Sequence, residues 1–391
     1  MDGHLSRRQF LSATASLPLG VGLSMAPSPA GSAEPQQGVP EFRRGGMLYR
    51  SLGRTGIDIS VLGFGSHTDP GSKVSAQRGN VSFTVLSGEG QGQRDRQIGR
   101  AFDLGVNVLD VYDSQGQREP AARVVRSRRD KVLVSCSRQL PRNLIFIGDS
   151  IDEAAKLYGH SDLFRLVLDG RDPILNQQGE LNSEVLEDWD VLRKAREVGK
   201  VRIIGVSAHR EDVMCKALEQ LDGLDFVLLP YNFIHARAQH TDFLQQAIRG
   251  GIGLIAMKPL AGGSIAQLDP RARPSRPEAR RLQMYDNSPA RFLPILPAAM
   301  AELTKSLDRL PDETLCQAAL RFTYSRPFIS CAMTGIFQDE DLEEDYIALT
   351  RQLSLSQDEM AVLNKAGELA KVCGPDWVLP QYRWLEEQWR A

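Results

Sequence analysis

Three stretches of this chain place groups able to move protons or hold phosphate at the ends of apolar runs. Residues 105–116, GVNVLDVYDSQG, are apolar and β-branched up to Asp110 and then turn polar. The run reads as a buried parallel strand passing into a loop. Asp110 stands where that strand ends, and Tyr112, two residues on, shares its face if the strand continues. His67 follows a second apolar run at 61–65. A carboxylate, a phenol and an imidazole so placed offer acid–base chemistry once neighbours tune them, since an unperturbed tyrosine with a pKa of about 10 donates poorly at neutral pH. The third stretch is Lys258-Pro259-Leu260-Ala261-Gly262-Gly263, directly after the apolar run 252–257. Its glycines let backbone N–H groups approach a phosphate, and Lys258 adds charge. Each has a plain structural alternative: a histidine in a loop, an acid bonded to backbone or to an arginine, a glycine turn after a strand.

The elements that must position these groups alternate along the chain. Strand-like runs begin at 61, 106, 131, 162, 201, 226, 252 and 328, each followed by a helical pattern. The clearest is 183–198, where Leu186, Trp189, Leu192 and Ala195 recur three apart and Gly199 ends the pattern. Eight strands in strict β–α alternation predict an α/β fold of the (β/α)8 TIM-barrel type, more strands than a doubly wound sheet usually holds. In such a barrel a polar residue at a strand's C-terminal end faces the active-site mouth. Residues 47–51 and 57–62 flank Gly53-Arg54-Thr55-Gly56 and read as an N-terminal hairpin. Two stretches read as long loop insertions: 69–92, rich in Gly, Ser and Gln, and 264–297, rich in Pro and Arg. The first is either a flap over the site or a tolerated surface insertion. The expected division is a targeting segment at 1–33, a linker at 34–46, the barrel at 47–353 and a C-terminal helical tail at 354–391. That tail ends in Trp377, Tyr382, Trp384 and Trp389.

The 391 residues carry a formal net charge of −2 and are 42% hydrophobic, enough for a large core and no reason to expect nucleic acid or an anionic membrane surface as a partner. Five cysteines, Cys136, Cys215, Cys316, Cys331 and Cys373, form no CxxC or CxxH pair, so no metal site is expected. Cys136 and Cys331 lie in strand-like runs and read as buried small hydrophobes. Ser6-Arg7-Arg8-Gln9-Phe10-Leu11, then a mildly apolar run and the small residues Gly31-Ser32-Ala33, resemble a twin-arginine export signal. The expected location is periplasmic or extracellular. The apolar run is too short and too broken by Gly and Pro for a stable transmembrane span.

The segment GMLYRSLGRTGIDISVLGFGS at 46–66, taken with 105–116, resembles the aldo-keto reductase family over roughly 47–349. The resemblance implies a (β/α)8 barrel, NADPH or NADH as cofactor and a small carbonyl or sugar-like substrate. It also implies a catalytic set of Asp, Tyr, Lys and His. Position by position, the Asp falls on Asp110, the Tyr on Gln115, the Lys on Ser137 and the His on Val167, or on Leu168 if the register slips by one. Substitutes for the lost groups are Tyr112, Arg138, His67 and Arg165. The cofactor positions implied are Ser207 at the carboxamide, Met257 where an aromatic stacks on nicotinamide, and Lys258, Leu260 and Gly262 in the pyrophosphate loop. The adenosine positions are Gly335, Glu344 and Asp345. The family's Asn beside Ser207 is Ala208 here, and its Gln after the next strand is Leu228. A 2′-phosphate calls for Arg or Lys, and none lies between Gly335 and Asp345. Two readings follow. One is an exported reductase with a rebuilt or weakened proton donor, with Asp110, Tyr112 and His67 as its candidate catalytic residues. The other is a barrel of the same descent that binds or interacts without catalysis. A glycoside hydrolase is a poor third, since no Glu stands at the ends of two strands.

Overall fold

The computed structural model describes residues 39–78, 81–112, 118–138, 145–169, 173–233, 236, 241–260, 310 and 312–362. The expected signal at 1–33, the insertion at 264–297, the tail tryptophans, Gln115 and Gly262 lie outside them. The chain begins with three antiparallel strands, β1 (Glu41–Arg44), β2 (Met47–Ser51) and β3 (Asp58–Ser60). The reading of 34–46 as linker is corrected over 41–44, since β1 pairs along β2 with Glu41 opposite Arg50. Arg50 fastens this sheet to the barrel: its guanidinium donates to the carbonyls of Tyr324, Arg326 and Ile329 at 2.8–2.9 Å. Leu52, Ile57 and Ile59 then pack with Val108, Leu163, Ile203 and Phe226 from the barrel interior, which closes the barrel's lower end.

After β4 (Leu62–Phe64), residues 69–92 are not an irregular insertion. They form an antiparallel hairpin, β5 (Lys73–Arg78) with β6 (Val81–Leu86), and then helix α1 (Gly88–Asp103). The signal was present, because Gly79-Asn80 between two alternating runs is hairpin syntax, but the Gly, Ser and Gln content pointed toward a loop. Three glycines in the first turns of α1 argue against a helix on propensity. The cap and the packing override that. Ser87 Oγ accepts from Gly90 N at 3.0 Å, and a Cβ at Gly90 would stand 2.5 Å from Ser72 O, so the helix start lies tight on the preceding turn.

The remaining strands are β7 (Val108–Tyr112), β8 (Leu133–Arg138), β9 (Ser161–Val167), β10 (Val201–Ser207), β11 (Phe226–Pro230), β12 (Gly253–Met257) and β13 (Cys331–Thr334). With β4 they close a parallel barrel of eight strands among the described residues, in the order β10-β11-β12-β13-β4-β7-β8-β9. The intervening helices are α2 (Arg118–Val125), α3 (Ile147–Tyr158), α4 (Ser183–Glu197), α5 (Glu211–Gln220), α6 (Asp242–Arg249), α7 (Leu315–Tyr324) and α8 (Asp339–Thr350). This is a (β/α)8 TIM barrel with the expected N-terminal hairpin. Alternate strand residues turn outward and bury Val134, Cys136, Phe164, Ile204, Val206, Leu254 and Ala332 under the helices. Cys136 and Cys331 are both fully buried. Among the described residues no helix is long and apolar enough to cross a membrane.

Candidate active site

The barrel interior holds a charged layer. Asp110 on β7 and Arg165 on β9 face each other across β8, with Arg165 Nη1 donating to Asp110 Oδ1 at 2.5 Å and Nη2 to Oδ2 at 3.0 Å. Ser135 on the strand between them donates to Asp110 Oδ1 at 2.9 Å and accepts from Arg165 Nη1 at 2.9 Å. Both charged side chains are almost wholly buried, at 2% and 1% exposed. A buried carboxylate is tolerated only when paired and hydrogen-bonded, and the two-pronged guanidinium supplies both. The strand register makes the pair possible, since Asp110 lies opposite Ser135 and Arg165 opposite Ser137. On its other side Arg165 lies opposite Gly205. There a Cβ would collide with Phe226 at 2.5–2.6 Å, so Gly205 admits that ring to the layer. Burial, and the Asp110 charge after it, hold the Cys331 thiol well above its usual range.

This layer changes what Asp110 can do. The resemblance implied an acid beside a lysine; here Ser137 stands at the lysine position, fully buried, and Arg165 takes the carboxylate instead. Arg138, weighed as a substitute cation, points away from the site. It lies on the outer face of β8 and pairs with Asp188 of α4 at 3.0 Å, both buried. Tyr112 lies at the end of β7, opposite Ser137 in register.

The barrel mouth carries a second cluster. Asp169 follows β9 by two residues, His209 follows β10 by two, and Lys258 follows β12 directly. His209 Nδ1 bonds Asp169 Oδ2 at 2.8 Å, and the His209 backbone N–H donates to Asp169 Oδ1 at 3.1 Å. On the other side of the ring, Nε2 meets Lys258 Nζ. An ionised carboxylate only accepts, so Nδ1 carries the hydrogen and Nε2 faces the lysine. Lys258 is held in the left-handed region at φ 55°. That conformation is uncommon and costly for a residue other than glycine and persists only when its surroundings fix it. Asn232, fully buried, donates to the Lys258 carbonyl at 2.9 Å and supplies one such constraint. Burial lowers the Lys258 ammonium to about 7, with the Asp169 charge opposing. Burial and then the Lys258 charge lower His209, against the pull of Asp169. Asp169 itself is lowered: burial raises it, but the His209 and Lys258 charges and the His209 hydrogen bonds outweigh that.

His67 sits at the same mouth beside Gly335, after β4. Burial, followed by the charges of Lys258, Lys73 and Arg94, pushes it down to about 3. At that value its ring is an uncharged imidazole at neutral pH. Arg94 shapes this side of the mouth. It donates to the carbonyls of Gly65 at 2.6 Å and Ile336 at 2.8 Å and lies 4.3 Å from the Phe64 ring centroid.

Reasoning from sequence singled out Lys258 as a phosphate cation, whereas the structure turns its amine to His209. Asp169 and His209 were missed. Their signal was there in kind, because each is a polar residue just past a strand end. What joins them to Lys258 is the closure of the barrel, which sets the end of β12 two strands from the end of β10.

The nicotinamide side of the implied cofactor fits the chain. Ser207 and Met257 end β10 and β12, buried at 4% and 9% exposed, and Leu260 is buried close behind. The fixed backbone turn at Lys258, tied by Asn232, leads into the glycine-rich stretch. These residues would hold the nicotinamide and pyrophosphate, and the cofactor would supply hydride there. The adenosine side fits less well. Glu344 accepts from the Thr314 hydroxyl at 2.7 Å, and both Glu344 and Asp345 are buried where α7 packs on α8.

An eight-stranded α/β barrel with its polar groups gathered at the C-terminal strand ends has the architecture of a barrel enzyme. The model of the Aldo/keto reductase family matches residues 93–368, and the chain belongs to that family. The family uses NAD(P)H. L-galactose dehydrogenase of Arabidopsis thaliana is 25% identical over 348 residues, covering 84% of this chain and 96% of that protein. A probable voltage-gated potassium channel subunit beta of the same plant is 24% identical over 344 residues, covering 82% and 98%. Among solved structures, the holo form of aldo-keto reductase AKR11C1 from Bacillus halodurans is similar with a TM-score of 0.59 at 17% identity, covering 81% of this chain and 95% of that one; this likeness concerns the fold.

Proposed function

We propose that this protein is an exported NAD(P)H-dependent oxidoreductase acting on small carbonyl compounds or alcohols, sugar-like ones among them, with a rebuilt proton donor. The observation that carries this reading is the split between the two halves of the site. The nicotinamide-side positions Ser207 and Met257 keep their places at the strand ends, while the family's acid, Asp110, is sealed against Arg165. A carboxylate so held is occupied as an acceptor on both oxygens. Gln115 cannot donate to an alkoxide, and Val167 cannot polarise a carbonyl. His67 is too weak a base to carry the proton at neutral pH. Titration of the purified mature chain with nucleotides, followed by quenching of protein fluorescence, tests the cofactor half. NADH should bind at least as well as NADPH, because a 2′-phosphate contact is a charge-assisted bond worth roughly 1.5–3 kcal/mol. The one described arginine of α1 that reaches α8, Arg100, is matched there by Glu343 at 2.8 Å. A tenfold preference for NADPH would mean the adenosine site has been misplaced.

Export rests on Arg7-Arg8 with Phe10 and the apolar run behind them. Changing both arginines to Lys should leave precursor in the cytoplasm, as read by fractionation and immunoblotting; normal export of that double variant would refute the assignment. The sealed Asp110, together with the likeness to a potassium channel subunit, favours a second reading in which the barrel binds nucleotide and a partner without turnover. Tight nucleotide binding with no reduction of any aldehyde or sugar in a broad panel would select it.

A further inference from the structure

Resting on the cofactor half of the reading above, we infer that Asn232 and His209, the latter backed by Asp169, are positioning residues for dinucleotide binding. They hold the backbone turn at Lys258 in the shape that receives the pyrophosphate, and Lys258 serves there through its backbone rather than its charge. Lys258 directly precedes Pro259-Leu260-Ala261-Gly262-Gly263, the stretch whose N–H groups would meet phosphate. Its φ of 55° is left-handed. For a residue with a Cβ, that region is disfavoured roughly 5- to 30-fold in population. The proline that follows adds to the cost, because it biases the residue before it toward extended backbone. Glycine would adopt this turn without penalty, yet the chain has lysine there. Neighbouring groups must therefore hold the turn.

The exits of three successive strands do so. After β11, the Tyr231 N–H donates to the Met257 carbonyl at 3.2 Å, and the Asn232 side chain donates to the next carbonyl, that of Lys258, at 2.9 Å. The peptide groups on both sides of the Lys258 Cα are thus gripped by one neighbouring segment. The pairing of Pro230 opposite Met257 sets its register. Asn232 is fully buried, which leaves its amide little room to swing away. After β10, His209 Nε2 meets Lys258 Nζ and fixes the far end of the side chain. After β9, Asp169 bonds the His209 ring at Nδ1 and the His209 backbone N–H, which sets the orientation and tautomer of the ring. Carboxylate, ring and amine form one line across three strand ends, and the charge of Lys258 is answered within it by Asp169. The cost of the left-handed turn is met on folding and not on binding, which is how preorganisation raises affinity.

Titration with NADH and NADPH, read by quenching of protein fluorescence, tests this in two comparisons, with circular dichroism melting to confirm that each variant is folded. Lys258→Ala and Lys258→Gly both remove the amine, but only alanine resists the left-handed region. Lys258→Ala should therefore bind the preferred nucleotide about fivefold or more less tightly than Lys258→Gly. A lysine acting as a phosphate cation would instead make the two losses equal. Asn232→Ala should weaken binding about fivefold or more in the chain with Lys258, and by less than about twofold in the Lys258→Gly chain, because glycine needs no holding. His209→Leu should show the same dependence on the residue at 258. General damage from a disturbed interior would persist in both backgrounds, so the rescue by glycine separates positioning from a merely structural role. The first comparison decides even where Asn232→Ala fails to fold, since Lys258 is only partly buried. Equal binding by Lys258→Ala and Lys258→Gly, or an Asn232→Ala loss of the same size in both backgrounds, would each overturn the inference and leave the cofactor reading standing. If wild-type protein binds neither nucleotide, the cofactor reading falls and takes this inference with it.

Discussion

Arg165→Leu should cost roughly 3–5 kcal/mol of folding stability, a large share of what a domain of this kind has in hand. The guanidinium is the partner that makes a buried Asp110 tolerable: it reaches both carboxylate oxygens at 2.5 and 3.0 Å, in a layer that solvent scarcely touches. Removing it strands a charge in the barrel interior with Ser135 as its remaining hydrogen-bond donor among the described residues, and Ser135 loses its own donor from Arg165 as well. The cost should therefore far exceed the ~0–1 kcal/mol typical of the exposed pairs on the helices, such as Arg100 with Glu343. Urea denaturation followed by circular dichroism measures it. The double variant Asp110→Leu with Arg165→Leu is the control. Replacing a buried pair by apolar groups is often neutral or stabilising, so the double variant should recover most of the loss. Two equally destabilised variants would show that the layer needs the shape of arginine more than the compensation of charge.

The barrel was legible in the sequence because each strand is a short β-branched run bounded by polar residues or glycine, and each helix repeats its apolar residues on one face. Those signals are local. The charged layer was legible only in part. Asp110 stood out because polar residues follow it, and Arg165 stood out only as a lone charge inside DLFRLVL. That the two are partners follows from the stagger of β7, β8 and β9, which places Arg165 opposite Ser137 and not opposite Ser135. No local pattern encodes that stagger. The same limit hid the Asp169–His209–Lys258 cluster, whose members come from three separate strand ends. Arg138 was misjudged by a single step of alternation: next to Ser137 in sequence, it lies on the opposite face of β8 and serves the helix layer through Asp188.

The same register predicts a reversal of sign for Ser137→Lys. Ser137 and Arg165 are direct partners on adjacent parallel strands, where neighbours lie about 4.8 Å apart. With Arg165 present, a lysine at 137 puts two cations side by side in a buried layer whose carboxylate, Asp110, is already bound on both oxygens. At an effective dielectric of about 20 and a separation of about 5 Å, that repulsion is about 3 kcal/mol, so Ser137→Lys should destabilise by about that amount. In the Arg165→Leu background the same substitution supplies the counter-ion that Asp110 lacks, and it should stabilise. The two effects of one substitution should thus carry opposite signs, so the coupling energy should exceed about 3 kcal/mol, the upper end of what contacting residues show. Thermal and urea denaturation of the four proteins of the cycle measure it. Catalysis should follow the same logic. Gln115→Tyr brings back the phenol, but a phenol needs a neighbouring cation to donate well, and only the Ser137→Lys, Arg165→Leu pair frees Asp110 to hold that cation as the family does. Adding Gln115→Tyr to wild type should leave reduction unchanged, whereas adding it to that pair should raise it at least tenfold. A gain already present in wild type carrying Gln115→Tyr alone would mean that Arg165 can serve as the tuning cation, and that the family's chemistry needs no lysine in this barrel.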